Sequence, residues 1–276
     1  MLFKKDYRIL SEDELNQIEK AENYIADLKK KGISVDQLNI FHKMLPKSAY
    51  NYKSYFPNNY LHSGYDTSNE TLDKGLNDFI NLIKSVETDE RAILNFINKN
   101  EYYFILDSIF FKYNFGHHDA YLFKEFELPP NYIVDYLLVG KNSSGYEFIF
   151  IEFEHPNKEV TLIDGSLGNS FRKGIKQIED WDEWIDANFQ NLRTVFKKYQ
   201  NTNKNLPSEF YELDKTRIHY LVIAGQRKHF NEKTYRLKRK GINNIKILHY
   251  DNLIETTDWI TREKKKLNNI RDKIRI

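Results

Sequence analysis

Three carboxylates stand where their neighbours would bury them. Asp135 interrupts the apolar run Ile133-Val134-Asp135-Tyr136-Leu137-Leu138-Val139. Glu152 and Glu154 close a second run, Tyr146-Glu147-Phe148-Ile149-Phe150-Ile151-Glu152-Phe153-Glu154. Burying an acid beside a β-core is costly unless something pairs with it. Hard oxygen ligands that converge on one point suit Mg²⁺ or Mn²⁺. A cation so held lowers the pKa of an attacking water and stabilises charge on a phosphodiester. The residue types therefore point to a metal site acting on phosphate esters.

The elements around these acids decide whether they can meet. Both runs read as strands, joined by the turn Lys141-Asn142-Ser143-Ser144-Gly145. Glu152 and Glu154 are two apart, so on a strand they share a face. Asp135 reaches that face if the two strands pair antiparallel. Leu167 to about Tyr199 reads as one or two helices, and Gln177 on it reads either as an exposed helix residue or as one that orients the site. His155 is read as a strand-end cap, and His117-His118-Asp119 as lacking the spacing of a metal cluster. Trp181 and Trp184, three apart on the helix, are read as core.

Elsewhere the pattern is mainly helical before residue 100 and mixed after it. Ser11 and Glu14 have capping-box spacing, which predicts a helix to about Lys31 with a stop at Gly32. A shorter helix is expected from Ser34 to before Pro46, and a loop or linker over 47 to 68. Helical spacing of apolar residues predicts helices at 69 to 85 and 88 to 99. Tyr102 to Phe126 reads as either helix or strand. Leu221 to Gly225 and Ile245 to Tyr250 read as strands around a basic helix of 231 to 240. Asp251 is placed to cap a short helix through Trp259, with a basic helical tail beyond it. The order from residue 88 is that of an α/β sandwich.

With 276 residues, 40% hydrophobic and 30% charged, the chain can build a substantial core. The absence of cysteine excludes disulfides, thiolate zinc sites and cysteine nucleophiles, and fits a cytoplasmic setting. No run of 18 apolar residues is present, so no membrane span is expected. The net charge of +2 is uninformative as a total. Basic runs at 226 to 240 and 262 to 275, each taken alone, read as solvated helix faces.

Asp135 followed by Glu152-Phe153-Glu154 resembles the acid and acid-X-Lys pair of the PD-(D/E)XK nuclease superfamily. Gln177-Ile178-Glu179-Asp180-Trp181 resembles its Q-x-x-x-Y element, with Trp in place of Tyr. Val134 to Leu138, Glu152 to Pro156, the Gln177 helix, Tyr220 to Gly225 and Ile245 to Leu253 together resemble the Shedu family of antiphage-defence nucleases. The similarity covers roughly residues 88 to 258.

The resemblance implies an α/β fold with a restriction-endonuclease-like core, a mixed central sheet flanked by helices. It implies a nuclease-like domain over 86–276 and an N-terminal helical, sensing or regulatory region over 1–85. It implies an Mg²⁺- or Mn²⁺-dependent DNA endonuclease. Asp135, Glu152 and Glu154 would hold the metal, Gln177 would orient a ligand or water, and Arg172, Lys173 and Lys176 would grip the DNA backbone. Expected partners are DNA, a phage-derived trigger and further copies of the chain in a homo-oligomer. One residue departs from the motif: Glu154 stands where Lys is expected. A Glu supplies no positive charge but can ligate metal or act as a base. The alternative reading is a non-catalytic nucleic-acid-binding or phage-sensing module on the same fold.

Overall fold

A computed structural model of the chain describes residues 2–32, 47–61 and 67–274. They form two compact units. The smaller comprises Met1–Tyr60 with Phe196–Leu206, the larger Leu61–Val195 with Pro207–Ile276.

In the smaller unit, α1 (Glu12–Lys30) starts as its sequence predicts. Ser11 and Glu14 form a reciprocal capping box. A further helix, α2 (Lys47–Lys53), occupies part of the stretch expected to be a loop. The apolar period that would have marked it is missing because its buried face is partly polar. Asn51 is fully buried and donates through Nδ2 to the Pro57 carbonyl at 2.9 Å. The helix expected between residues 34 and 45 lies outside the described residues.

The larger unit is mixed α/β. It opens with α3 (Asn69–Lys84), α4 (Glu90–Asn100) and a single turn, α5 (Phe104–Asp107). Its order then runs β1 (Ala120–Leu128), β2 (Tyr132–Asn142), β3 (Gly145–Phe153), α6 (Asn169–Asn188) and α7 (Leu192–Lys197). It closes with β4 (Ile218–Ile223), α8 (Glu232–Lys240), β5 (Ile245–Leu248) and α9 (Tyr250–Ile274). Helix α9 replaces the expected short helix and separate tail. Helix α3 belongs to the larger unit.

The five strands form one sheet in the order β1-β2-β3-β4-β5. The first three form an antiparallel meander, and β3, β4 and β5 run parallel. A parallel pair needs a crossover, and α6 supplies it between β3 and β4. Leu137, Leu138 and Val139 on β2 and Ile149, Phe150 and Ile151 on β3 are fully buried. Successive residues buried in this way mean that both faces of the sheet are covered. That explains the near-continuous apolar runs around the acids. The ambiguous 102 to 126 segment resolves into α5, a 3-10 turn (Ser108–Lys112) and β1. Among the described residues no helix is long and apolar enough to cross a membrane.

Candidate functional site

The hairpin register brings the first two acids together. Tyr136 pairs with Ile151 across β2 and β3. Continuing that antiparallel register sets Asp135 opposite Glu152, on one face of the sheet. Asp135 Oδ2 accepts a hydrogen bond from the Phe153 amide at 2.8 Å. Glu152, only 4% exposed, is held through Oε2 by Gln177 Nε2 at 3.1 Å. Thus α6 ties directly to the acid on β3.

Glu154 lies just past the end of β3, with its backbone fixed from two sides. Its amide donates to the Ile223 carbonyl at 2.8 Å, and its carbonyl accepts from the buried Tyr250 hydroxyl at 2.7 Å. Its side chain turns against α6. Ser170 Oγ donates to Glu154 Oε2, and the Gly174 amide also hydrogen-bonds this carboxylate. Ser170, Gly174 and Tyr250 carry no signal of this role in the sequence.

A fourth acid joins from an element that the sequence did not implicate. Glu90 is the first residue of α4, behind the N-cap Asp89, whose side chain accepts from the Ala92 amide at 2.7 Å. An acid in a first helical turn is common on dipole grounds alone, so nothing in its sequence setting marked it. Glu90, Asp135, Glu152 and Glu154 all line one cleft of about 780 Å³, together with Lys158, Lys173 and Gln177. An adjoining groove of about 920 Å³ shares Lys173 and Gln177 and is lined further by Arg172 and Lys176.

Arg172, Lys173 and Lys176 are all exposed on α6. The Arg172 guanidinium reaches Asn169 Oδ1 at 2.8 Å, and Lys176 pairs with Asp180 at 2.7 Å. His155 accepts from the Asn157 amide through Nδ1 at 3.0 Å, as a turn cap does. Asp119 accepts from the Tyr146 hydroxyl at 2.8 Å. Trp181 and Trp184 are buried in the core.

Crowding and burial disfavour charge on all four acids. Burial first, then the charges of Asp135, Glu154 and Asp89, raise Glu90 to about 7. Burial likewise lifts Asp135 to about 7 against the opposing Phe153 hydrogen bond, with Glu154 and Glu125 adding to the rise. Glu152 is pushed well up by burial and then by Asp135, Glu90 and Glu154. Burial raises Glu154 too, against the Ser170 and backbone hydrogen bonds and the charge of Lys173. Among the described residues no Lys or Arg forms an ion pair with any of these four.

Among the described residues no three His, Cys, Asp or Glu side chains form a ready-made metal cage. Three of the carboxylates are drawn to separate donors: Phe153 for Asp135, Gln177 for Glu152, and Ser170 with Gly174 for Glu154. The donor set still fits a hard divalent cation in its chemistry. It is all carboxylate oxygen, and its mutual repulsion is the kind a bound cation relieves.

Fold and cleft together define a mixed α/β protein with an acid-lined site at the β2–β3 ends. A family model described as Shedu protein SduA, C-terminal, matches residues 87–254. That match spans more than half of the chain, and the chain belongs to this family. Shedu is an antiphage-defence family, and membership points to that role here. No curated protein matches the chain.

Proposed function

We propose that this chain is a divalent-metal-dependent DNA endonuclease of antiphage defence, on a PD-(D/E)XK-type core. One observation carries the reading: four acids from β2, the end of β3 and the start of α4 line a single cleft, and among the described residues none of them is ion-paired to a Lys or Arg. Asp135, Glu152, Glu154 and Glu90 would hold Mg²⁺ or Mn²⁺. A cation there supplies Lewis acidity and an acidified water.

The remaining work falls to the chain's own groups. Gln177 fixes the Glu152 carboxylate in orientation. Ser170 and the Gly174 amide do the same for Glu154, which is placed to take a proton from water as a general base. With Glu154 at the motif's Lys position, Lys173 is the best-placed source of positive charge. It lines the acid cleft and the adjoining groove, and its charge acts on Glu154. Arg172 and Lys176 would meet backbone phosphates along the groove.

The test is cleavage of supercoiled plasmid by the purified chain with Mg²⁺. Nicked or linear product is expected from the wild type and none from the Asp135→Ala, Glu152→Ala double variant. Equal cleavage by both would overturn the assignment. The second reading, a non-catalytic nucleic-acid-binding module, is favoured by the Glu at 154 and by the separate anchoring of the carboxylates. It predicts salt-sensitive DNA binding with no nicking under any divalent metal.

A further inference from the structure

The segment from β3 to α6 carries a tight turn with an apolar tip. Ile163 is 98% exposed and Leu162 44%. The backbone beneath them is fastened on both sides. Thr161 and Leu167 form an antiparallel bridge. The Leu162 amide donates to Ser166 O at 2.8 Å, and the Gly165 amide to Leu162 O at 2.9 Å. From α8, Lys233 Nζ donates to the Ile163 carbonyl at 2.9 Å, and the adjacent N-cap Asn231 accepts from Thr161 Oγ1 at 3.1 Å.

Single exposed apolar side chains are ordinary on protein surfaces. This one differs in its mounting and its place. A bridged turn with two internal hydrogen bonds cannot fold its tip inward, so the isoleucine is held outward. Leu162 lines the acid cleft itself, alongside Lys158 and Lys173. Leu162 thus sets the tip beside the rim of the proposed catalytic cleft, while Ile163 itself borders a neighbouring depression with Glu159, Asp164 and Asn231. The segment's own Asp164 is turned back on Ser166, accepting from its amide at 2.8 Å and its hydroxyl at 2.7 Å.

We propose that Ile163, backed by Leu162, is a wedge that enters a base step of duplex DNA docked on the cleft. Apolar side chains used in this way unstack a step and kink the duplex, at a cost repaid by closer backbone contact. Lys158, Lys173 and Lys233 meet the flanking phosphates, which position the duplex without reading sequence. The proposal rests on the DNA-endonuclease reading for the identity of the polymer. It adds how the duplex is deformed at the site. The expected preference is for DNA that is already easy to unstack.

The test uses the full chain with Ca²⁺ in place of Mg²⁺ and two short duplexes, one fully paired and one with a central mismatch. Both carry 2-aminopurine at and beside the centre. The wild type should bind the mismatched duplex about tenfold more tightly, because part of the unstacking is already done. It should also brighten 2-aminopurine in the paired one. Ile163→Ser, at a fully exposed position, should keep its melting temperature and its salt dependence of binding. It should lose both the preference and the brightening. Retention of both by Ile163→Ser, or their absence from the wild type, overturns the wedge. Plasmid cleavage without mismatch preference would sink the wedge and leave the nuclease reading intact. Preference without cleavage would do the reverse, and no DNA binding at all would sink both.

Discussion

Gly174 on α6 lies against the side chain of Glu154. A methyl group on its α-carbon would stand 2.8 Å from both Cγ and Oε1 of that glutamate. Glycine inside a helix costs about 1 kcal/mol relative to alanine, so this position gives up helix stability for a close approach. Gly174→Ala should push the Glu154 carboxylate off its Ser170 and amide donors. Misplacement of a reacting group by about 1 Å can cost roughly a hundredfold in rate. We expect a cleavage rate at least about tenfold lower. The melting temperature should move little, because gained helix propensity offsets the contact. A rate equal to wild type would show that the position of Glu154 does not matter.

The crowded acids set the sign of a pH effect. An acid raised in the folded state keeps its proton while the unfolded chain has lost its own, so stability falls as pH rises through that interval. For Glu90 the interval runs from about 4.3, the unfolded value, to about 7. Without divalent cations, the wild type and Glu90→Gln should melt together near pH 4. The variant should become the more stable as pH approaches 8. Mg²⁺ at about 100 times its Kd at pH 8 should add about 2.7 kcal/mol to the wild type there, and the same concentration should add less at pH 5, since binding requires deprotonated ligands. Thermal melts at several pH values with and without Mg²⁺ check this. A wild type insensitive to Mg²⁺ at pH 8 would contradict it.

Two lysines on one face of α6 should behave differently. Lys173 lines both the acid cleft and the groove, whereas Lys176 is exposed and already paired with Asp180 at 2.7 Å. Lys173→Ala should lower the cleavage rate roughly a hundredfold, the cost of one electrostatic stabiliser. Lys176→Ala should mainly weaken DNA binding and reduce its salt slope by about one. Single-turnover rates and salt titrations separate the two. Similar losses from both variants would remove Lys173 from any special role.

The acids on β2 and β3 were legible because strand periodicity is short and the runs are almost wholly apolar, so a carboxylate stands out at once. The family resemblance and the Gln177 helix could be read for the same reason: they are local patterns at fixed spacing. Glu90 was hidden, since an acid in the first turn of a helix has an ordinary explanation. Ser170, Gly174 and Tyr250 were hidden because their roles exist only once α6 and α9 pack on the strand ends. Strand β1 escaped because its first half, Ala120-Tyr121-Leu122-Phe123, is apolar and buried without alternation, both faces of the sheet being covered there. Helix α2 escaped because the polar Ser48 and Asn51 share its buried face with Ala49.

A buried charge pair away from the cleft gives a stability prediction. Lys264 on α9 and Asp107 on α5 are 7% and 6% exposed, with their charged atoms 3.5 Å apart. Burial pushes Lys264 down and Asp107 up, each opposed by the other. Removing one partner strands a buried charge, at a cost of about 3–5 kcal/mol. Lys264→Ala should therefore destabilise strongly, while Lys264→Met with Asp107→Leu should be close to neutral. Denaturant midpoints for both variants decide it. A larger loss in the double variant would mean that the ion pair itself holds α9 in place.

Asp135, Glu152, Glu154 and Glu90 are proposed to hold one divalent cation. The most direct measurement is anomalous diffraction from a crystal of the full chain soaked in Mn²⁺. A manganese peak is expected within bonding distance of carboxylate oxygens from at least Asp135 and Glu152, absent from Asp135→Asn crystals soaked in the same way. A cleft free of anomalous density at saturating Mn²⁺, or a peak unchanged in Asp135→Asn, would contradict it.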